Sequence, residues 1–426
     1  MINYSITYSG MLLRNTIIVL ALFVGLSKNI EAQLPTILLL SSDSVYKEKD
    51  GLLLLSADGA IGSNVLDNSF LKKSFFGGHI ESDHIARLKG NMKDQNRAGF
   101  MLSAGLEARN YRDTLFRNPD WGLSIGFSTN YHASMSFSKD LFSLVYQGNQ
   151  QFRNDTAEFG PLFFQYQAWQ KIGLGIFNKR TMSSAMISLV EGQTYHSLLA
   201  NNAGLYTSTT GDSLALSYSG DYWRSDTSKT GWANGSGIGA AVDFEYNLPM
   251  MDHHGMISVA VHDLGFVVWN KYAQHFSFDS LSIWQGVDVN DVISLADDTL
   301  NLPSLRDTLN YNVTKKYFIA PLPLSVHLRY CRFFGRGNFY EMGLSMWPNR
   351  ASVPRVYAGV THFIGQDFAL SEKLSYGGYG RFGLGAEMQW MPCGTWLFRA
   401  GTNNIGGFVS GSVYGRDIYF AIGKTF

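Results

Sequence analysis

Cysteine is nearly missing from this chain: only Cys331 and Cys393 occur among 426 residues. A framework of several bridges is excluded, and at most one bond can join the two thiols. Charge is also scarce. Asp, Glu, Lys and Arg make up 16% of the residues, low for a protein whose whole surface meets water. The 34 basic side chains balance the 34 acidic ones, so no field of one sign exists to gather nucleic acid, and none is expected as a partner. The apolar run at 16–26, TIIVLALFVGL, is too short to span a bilayer as a helix. No repeat of fixed length suggests a propeller or solenoid. The glycine-rich runs at 231–239 and 377–385 lack a Gly-Lys-Ser/Thr sequence and sit within strand patterns, which argues against a phosphate-binding loop.

Glycine, at 44 residues, and aromatic residues, at 14%, are plentiful. Both suit a membrane barrel, where glycine relieves crowding in a curved sheet and aromatic rings form girdles at the two interfaces. The pattern is plainest at 121–139, WGLSIGFSTNYHASMSFSK. Trp121, Leu123, Ile125, Phe127, Tyr131, Met135 and Phe137 occupy odd positions; Ser124, Ser128, Asn130, His132, Ser134 and Ser136 occupy even ones. Successive strand side chains point to opposite faces, so this run has one apolar and one small polar wall. At about 3.3 Å per residue it would extend past about 50 Å, against roughly 17–20 Å for an ordinary strand. A tilted membrane strand that continues into a loop-side hairpin needs such length. Mean hydropathy near zero does not oppose this, because alternation averages the two faces away.

The two ends fit export to an outer membrane. Arg14 precedes the apolar run, and a short polar stretch leads to Ala32, so residues 1–32 are expected to be a signal peptide and 33–50 an N-terminal extension. At the other end, Ile418, Phe420, Ile422 and Phe426 share one face of a strand that ends in phenylalanine. This end resembles the C-terminal strand of bacterial outer-membrane proteins, which implies the barrel assembly machinery and outer-membrane lipid as partners. Lys424 departs from the pattern, and a lysine near the membrane edge can snorkel.

Between the ends, residues 51–426 are expected to form an all-β, antiparallel, up-and-down transmembrane barrel of about 14 strands. A first strand from Leu52 to about Gly62 can close it against the last. Helical spacing is expected at 75–96, with Ile80, Ile85, Leu88 and Met92, and again at 140–149 and 288–298. These give a helical insertion at 67–96, with the short helices expected in the lumen or at the periplasmic rim, and a long loop or lumenal insert at 270–317.

The string from Asp263 through Leu264, Gly265 and Phe266 to Asn270 carries a resemblance. So do Gly148-Asn149, Pro321-Leu322-Pro323 and Tyr376-Gly377-Gly378-Tyr379-Gly380. Together they look like an uncharacterised family of Bacteroidota outer-membrane β-barrels, with the similarity running from about Leu52 to Phe426. That family is distantly similar to long-chain fatty-acid transporter barrels and to barrels accompanying type IX secretion. The resemblance implies fold and location, and no substrate.

His132 and Ser134 form the His-x-Ser arrangement of outer-membrane lipid hydrolases. In those enzymes the pair faces lipid, whereas here it lies on the polar wall, so lining the lumen is the expected role and no enzymatic activity is expected. His79, Glu81, Asp83 and His84, and the adjacent His253 and His254, match no strong metal template; neither metal nor cofactor is expected. Phe75, Phe76, Phe142 and Tyr146, beside the helical segments, join His132 and Ser134 as candidates for lining the lumen. Two functions stand: transport or a channel for a small solute, hydrophobic ones included, or a structural or secretion-associated barrel that binds a protein partner.

Overall fold

Alternating sequences of this kind can pair side by side until the sheet meets its own first strand, and here they do. The computed structural model describes residues 50–426 except 113, 116, 230–233, 252–253, 286–311, 335–337 and 366. The expected signal peptide, nearly all of the extension, the helix at 288–298 and His253 lie outside the described residues.

The strands are β1 (Gly51–Ser63), β2 (Gln95–Asn110), β3 (Trp121–Ser138), β4 (Asp155–Glu158), β5 (Leu162–Asn178), β6 (Ser184–Thr207), β7 (Ser213–Arg224), β8 (Gly237–Pro249), β9 (Gly255–Trp269) and β10 (Gln274–Gln285). They continue as β11 (Asn312–Lys315), β12 (Phe318–Pro321), β13 (Ser325–Phe334), β14 (Asn338–Met346), β15 (Val353–Ile364), β16 (Phe368–Gly378), β17 (Phe382–Trp390), β18 (Trp396–Thr402) and β19 (Arg416–Thr425). Fourteen of them close a ring of antiparallel neighbours. The order is β1-β2-β3-β5-β6-β8-β9-β13-β14-β15-β16-β17-β18-β19, and β19 returns to β1 with Leu52 opposite Thr425. The expected fold, strand number and seam are all found. Lys424 lies over the Trp396 ring at 5.2 Å, so the residue that breaks the terminal pattern rests on an aromatic face.

The wall is polar inside and apolar outside. On β3, Leu123 and Ile125 are exposed while Ser124, Ser128, Asn130, His132 and Ser134 are buried. The same split recurs with exposed Ile187 and Leu189 beside buried Ser188 on β6, and with exposed Leu370 and Leu374 beside buried Ser371 and Lys373 on β16. One end of the barrel carries the described chain ends and short turns; the other carries the long connections and is called the loop end below.

Apolar clusters lie near both ends of the lumen. At the turn end, Leu52 and Leu54 of β1 meet Phe177 of β5, Ala369 of β16 and Leu397 of β18, so the cluster crosses from one wall to the opposite one. At the loop end, α1 (Asn68–Phe76), α2 (Ser82–Gly90) and α3 (Lys139–Gln147) cover the mouth beside β1 to β3. Their Phe70, Leu71, Ile85, Leu88 and Phe142 pack on Phe137 of β3. The single helix expected over 75–96 is instead two short ones, because Gly77 and Gly78 take φ of +83° and +148° and interrupt the run. The four apolar residues expected on it still serve one purpose: Ile85, Leu88 and Met92 are buried in the lid cluster and Ile80 packs against it.

Part of the stretch at 270–317, expected as a long loop or lumenal insert, is strand. β10 pairs with β7 along its length, and Phe276 and Phe278 of β10 contact Tyr222 and Tyr218 of β7. With β4, β11 and the far half of β6, these strands form a sheet beyond the barrel mouth.

Asp67 fastens the lid. Its carboxylate accepts from the Phe70 backbone N–H at 2.8 Å, capping α1, and its other oxygen lies 2.8 Å from both His84 Nε2 and Arg87 of α2. Asp67→Ala is expected to lose a cap of about 1 kcal/mol and to free α2 from α1. Trypsin cleavage at Lys72 and Lys73 should then quicken in the purified protein while its heat-dependent electrophoretic shift persists. Unchanged cleavage would show that Asp67 is not the fastening.

Candidate functional site

Between its two apolar closures the lumen is filled unevenly. On the β14 to β19 side, charged side chains occupy it. Glu387 accepts from Arg399 at 2.9 and 3.1 Å and from the Tyr419 hydroxyl at 2.7 Å, and Lys373 bridges Glu341 at 3.1 Å and Glu387 at 3.6 Å. All four charged residues are buried, and each has an oppositely charged neighbour within 4 Å.

The β2 to β9 side is built from small residues. Gly105, Gly126, Ser124 and Ser128 face Gly173, Gly175 and Ser188. Gly105, Gly126, Ser124, Ser128 and Ser188 among them line a cavity of about 180 Å³. That slightly exceeds the cavity of about 150 Å³ that accepts benzene in an engineered protein core. Its walls mix apolar groups, among them Leu54, Met101, Met186 and Trp169, with charged ones.

Four charged or titratable residues stand together at its wall. Lys171 of β5 donates to both oxygens of Asp243 at 2.8 and 2.9 Å and to Asp263 at 2.7 Å. His262 Nδ1 lies 3.9 Å from Asp243. Two of these, His262 and Asp263, are sequence neighbours, which a regular strand would point to opposite faces. A β-bulge resolves this. The β8–β9 register slips between Val242 and Phe244, Asp263 takes a φ of +58°, and its backbone N–H donates to Asp243 at 2.9 Å. Two residues of β9 thus oppose Asp243, and both turn inward. A positive φ is unusual for a residue other than glycine and is stabilised here by bonds to both its backbone and its carboxylate.

A latch lies over the cavity at the loop end. The turn between β16 and β17 folds into the mouth, with Gly377 and Gly378 at positive φ. Arg97 of β2 donates to the carbonyls of Gly378 and Gly380 at 2.9 and 3.1 Å. The Tyr379 hydroxyl meets His132 Nε2 at 2.9 Å and accepts from Asn349 at 2.9 Å, while its ring stacks with Trp347. A Cβ at Gly99 would lie 2.4 Å from the Tyr379 ring, so β2 carries glycine where the tyrosine seats.

The residues expected to line the lumen separate into three groups. His132 lines the cavity, and Ser134 is buried on the same face without lining it. Phe142 belongs to the lid cluster, and Tyr146 packs edge-on against Phe70 and tilted against Phe142 while remaining partly exposed. Phe75 and Phe76 do not line the lumen: at the end of α1, where the two glycines stop the helix, they are 45% and 73% exposed. His84 is engaged with Asp67 in the lid. The central cluster of Lys171, Asp243, His262 and Asp263 was missed as a site. A signal for it existed: the apolar phase runs Ile257, Val259, Val261 and then shifts to Leu264, Phe266, Val268, leaving His262-Asp263 at the shift.

Lys171→Met would leave two carboxylates unpaired in the lumen and is expected to destabilise the barrel by about 3–5 kcal/mol. Adding Asp243→Asn and Asp263→Asn should restore most of that, since asparagine also accepts a positive φ. The urea midpoint for loss of the heat-dependent shift measures both. A midpoint unmoved by Lys171→Met would deny the ion pairs.

Among curated proteins none matches this chain. Solved barrels resemble it at low identity. The toluene transporter TodX of P. putida is 10% identical over 92% of this chain and 94% of its own, with a TM-score of 0.40. The toluene transporter TbuX of Ralstonia pickettii is 10% identical over 89% and 90%, at 0.41, and a Pseudomonas aeruginosa FadL homologue is 8% identical over 90% and 91%, at 0.39. All three scores fall below 0.5, and the barrel rests on this chain's own strand pairing. A model of a family of unknown function, DUF5723, matches residues 51–398, most of the chain from the first barrel strand onward, and the protein belongs to that family.

Proposed function

We propose that this protein is an outer-membrane barrel that passes a small solute through a lumen held closed at both ends. The observation that carries this is the cavity of about 180 Å³ between a lid and a plug, walled in part by glycine and serine. A barrel with a purely structural role gains nothing from such a space, since unfilled volume costs packing energy. The exposed apolar belt, with Ile125, Leu174, Ile187, Leu264 and Leu374, supports a lipid-facing exterior, and the short turns support a periplasmic position for the described chain ends. Outer-membrane lipid and, through the strand ending in Phe426, the barrel assembly machinery are its proposed partners. The mixed walls suit a solute with an apolar body and a polar end better than a pure hydrocarbon.

No enzymatic step is assigned. The His132 Nε2 that would serve a serine is 2.9 Å from the Tyr379 hydroxyl, and the pair faces the lumen rather than lipid. The sheet beyond the mouth, with Leu281 and Ile283 exposed, favours the second reading, docking of a protein partner that includes a secretion component.

Planar-bilayer recordings test transport. The intact protein should show no steady current. Replacing residues 67–92 by a short Gly-Ser linker should leave it closed while the turn-end cluster persists. Adding Leu54→Ser and Phe177→Ser, with Tyr379→Ala to release the latch, should produce a conductance at least about ten-fold above background, as expected if each closure holds the channel shut by more than about 1.4 kcal/mol. No current in the doubly opened form would overturn the transport reading.

A further inference from the structure

The charged side chains that line the cavity are all engaged within its own wall. Lys171 holds Asp243 and Asp263, and Arg109 holds Glu107 at 2.7 Å. Asp58 accepts from the Ser103 hydroxyl at 2.8 Å, and Glu245 accepts from Asn247 at 3.2 Å. An ion entering this space would give up its water without meeting a free counter-charge. What the wall offers a solute is therefore its neutral groups.

Two of those groups are donors that lack an acceptor. Trp169 of β5 lines the cavity and is 3% exposed, and its ring N–H, which can only donate, has no partner among the described residues. His132 of β3 lines it too, is 3% exposed, and has none at Nδ1. The latch fixes what that nitrogen presents. Asn349 accepts through Oδ1 from the Ala351 backbone N–H at 2.8 Å, so its Nδ2 is the atom that donates to the Tyr379 hydroxyl. The tyrosine proton is then directed at His132 Nε2, and the single proton of the neutral imidazole sits on Nδ1. The two donors are also neighbours. Asn130 and His132 stand opposite Trp169 and Gln167, which makes His132 and Trp169 a diagonal pair, about 7–8 Å apart, on one lumenal face. Buried donors of native proteins are rarely left unpaired, and these two border one space. Met101 of β2, opposite His132 on its other side, adds an apolar wall beside them.

Resting on the transport reading above, we infer that the cavity is a binding site for a small neutral carbonyl compound, a ketone, ester or amide carried on an apolar body about the size of a benzene ring. A carbonyl oxygen has two lone pairs and accepts from two donors at once. The oxygen lies toward Trp169 and His132, and the apolar body lies toward Met101 and, nearer the turn end, Leu54 and Met186. The site and the latch are coupled through one ring: Tyr379, seated on Nε2, is what keeps the Nδ1 proton facing the ligand.

Acetophenone, ethylbenzene and benzoate share one ring: the first carries a neutral acceptor, the second none, the third an ionised one. Binding of each to the full chain in detergent would be measured by calorimetry, with protein-free micelles as the reference. Acetophenone should bind at least about ten-fold more tightly than ethylbenzene, and benzoate more weakly than acetophenone. Trp169→Phe keeps an aromatic ring and removes the N–H. It should reduce the preference for acetophenone over ethylbenzene to below about three-fold while ethylbenzene binding changes by less than about two-fold, a split that lost packing alone would not give. Should that variant not fold, judged by the heat-dependent shift, the carbonyl stretch of acetophenone bound to the unaltered protein decides: a frequency below that in hexane supports the two donors, and an unshifted one overturns them. Equal binding of acetophenone and ethylbenzene, which would leave the donors to ordered water, also overturns the inference. So does tighter binding of benzoate, or a preference unaffected in folded Trp169→Phe protein. The bilayer recordings separate the two proposals. If acetophenone is preferred and the doubly opened form carries no current, transport fails and the site stands; if that form conducts and acetophenone is not preferred, transport stands and the site fails.

Discussion

Closure of the sheet by β1 and β19 is the constraint from which the other features follow. Backbone N–H and C=O groups have no water to bond in hydrocarbon, so an open edge would leave a row of them unsatisfied, and a ring leaves none. Leu52 to Ile61 pair with Arg416 to Thr425, and the Phe426 carbonyl accepts from the backbone N–H of Gly51 at 3.0 Å. Once the ring is shut, every strand has one face toward the outside and one toward an enclosed space. The period of two then dictates chemistry rather than mere direction. Apolar residues must take one phase, and whatever the lumen needs must take the other.

That enclosed space is where this chain differs from a solid barrel. One side is occupied by Glu341, Lys373, Glu387 and Arg399, whose mutual pairing makes their burial tolerable. The other carries glycine and serine, several of which line the cavity. Closure above it depends on three pieces of local structure: helices capped by Asp67 and Ser138, and the glycine-bearing turn that seats Tyr379 against His132. Each is held by a few polar contacts at the mouth rather than by the strand ladder. These are the elements that can open without cost to the ring.

The sequence made the wall legible because alternation is a local property. The odd and even faces of β3, the strand number and the seam could all be read from neighbours two residues apart. What could not be read was which lumenal residues meet across the barrel. Lys171 reaches Asp243 and Asp263 only because β5, β8 and β9 are brought around the ring by a topology in which β7 is displaced outward. Nor does spacing reveal that Tyr379 seats on Gly99, far away in sequence. The Asp263 and Tyr376–Gly380 strings that carry the family resemblance gain a physical meaning from the structure: one forms the bulge at the charged cluster, the other the latch. Phe75 and Phe76 are exposed for a local reason: Gly77 and Gly78, which look like helix positions in the sequence, end α1 immediately after them.

The proposed membrane setting depends on β3 presenting its odd residues to lipid and its even residues to the lumen. Single nitroxide labels placed in turn at positions 123 to 132, in a chain whose two cysteines are replaced by alanine, read this directly. Collision rates with oxygen, which partitions into lipid, should rise at Leu123, Ile125 and Phe127 and fall at Ser124, Ser128 and Asn130, giving a period of two along the strand. A flat profile, or one whose maxima fall on the serines, would contradict the account.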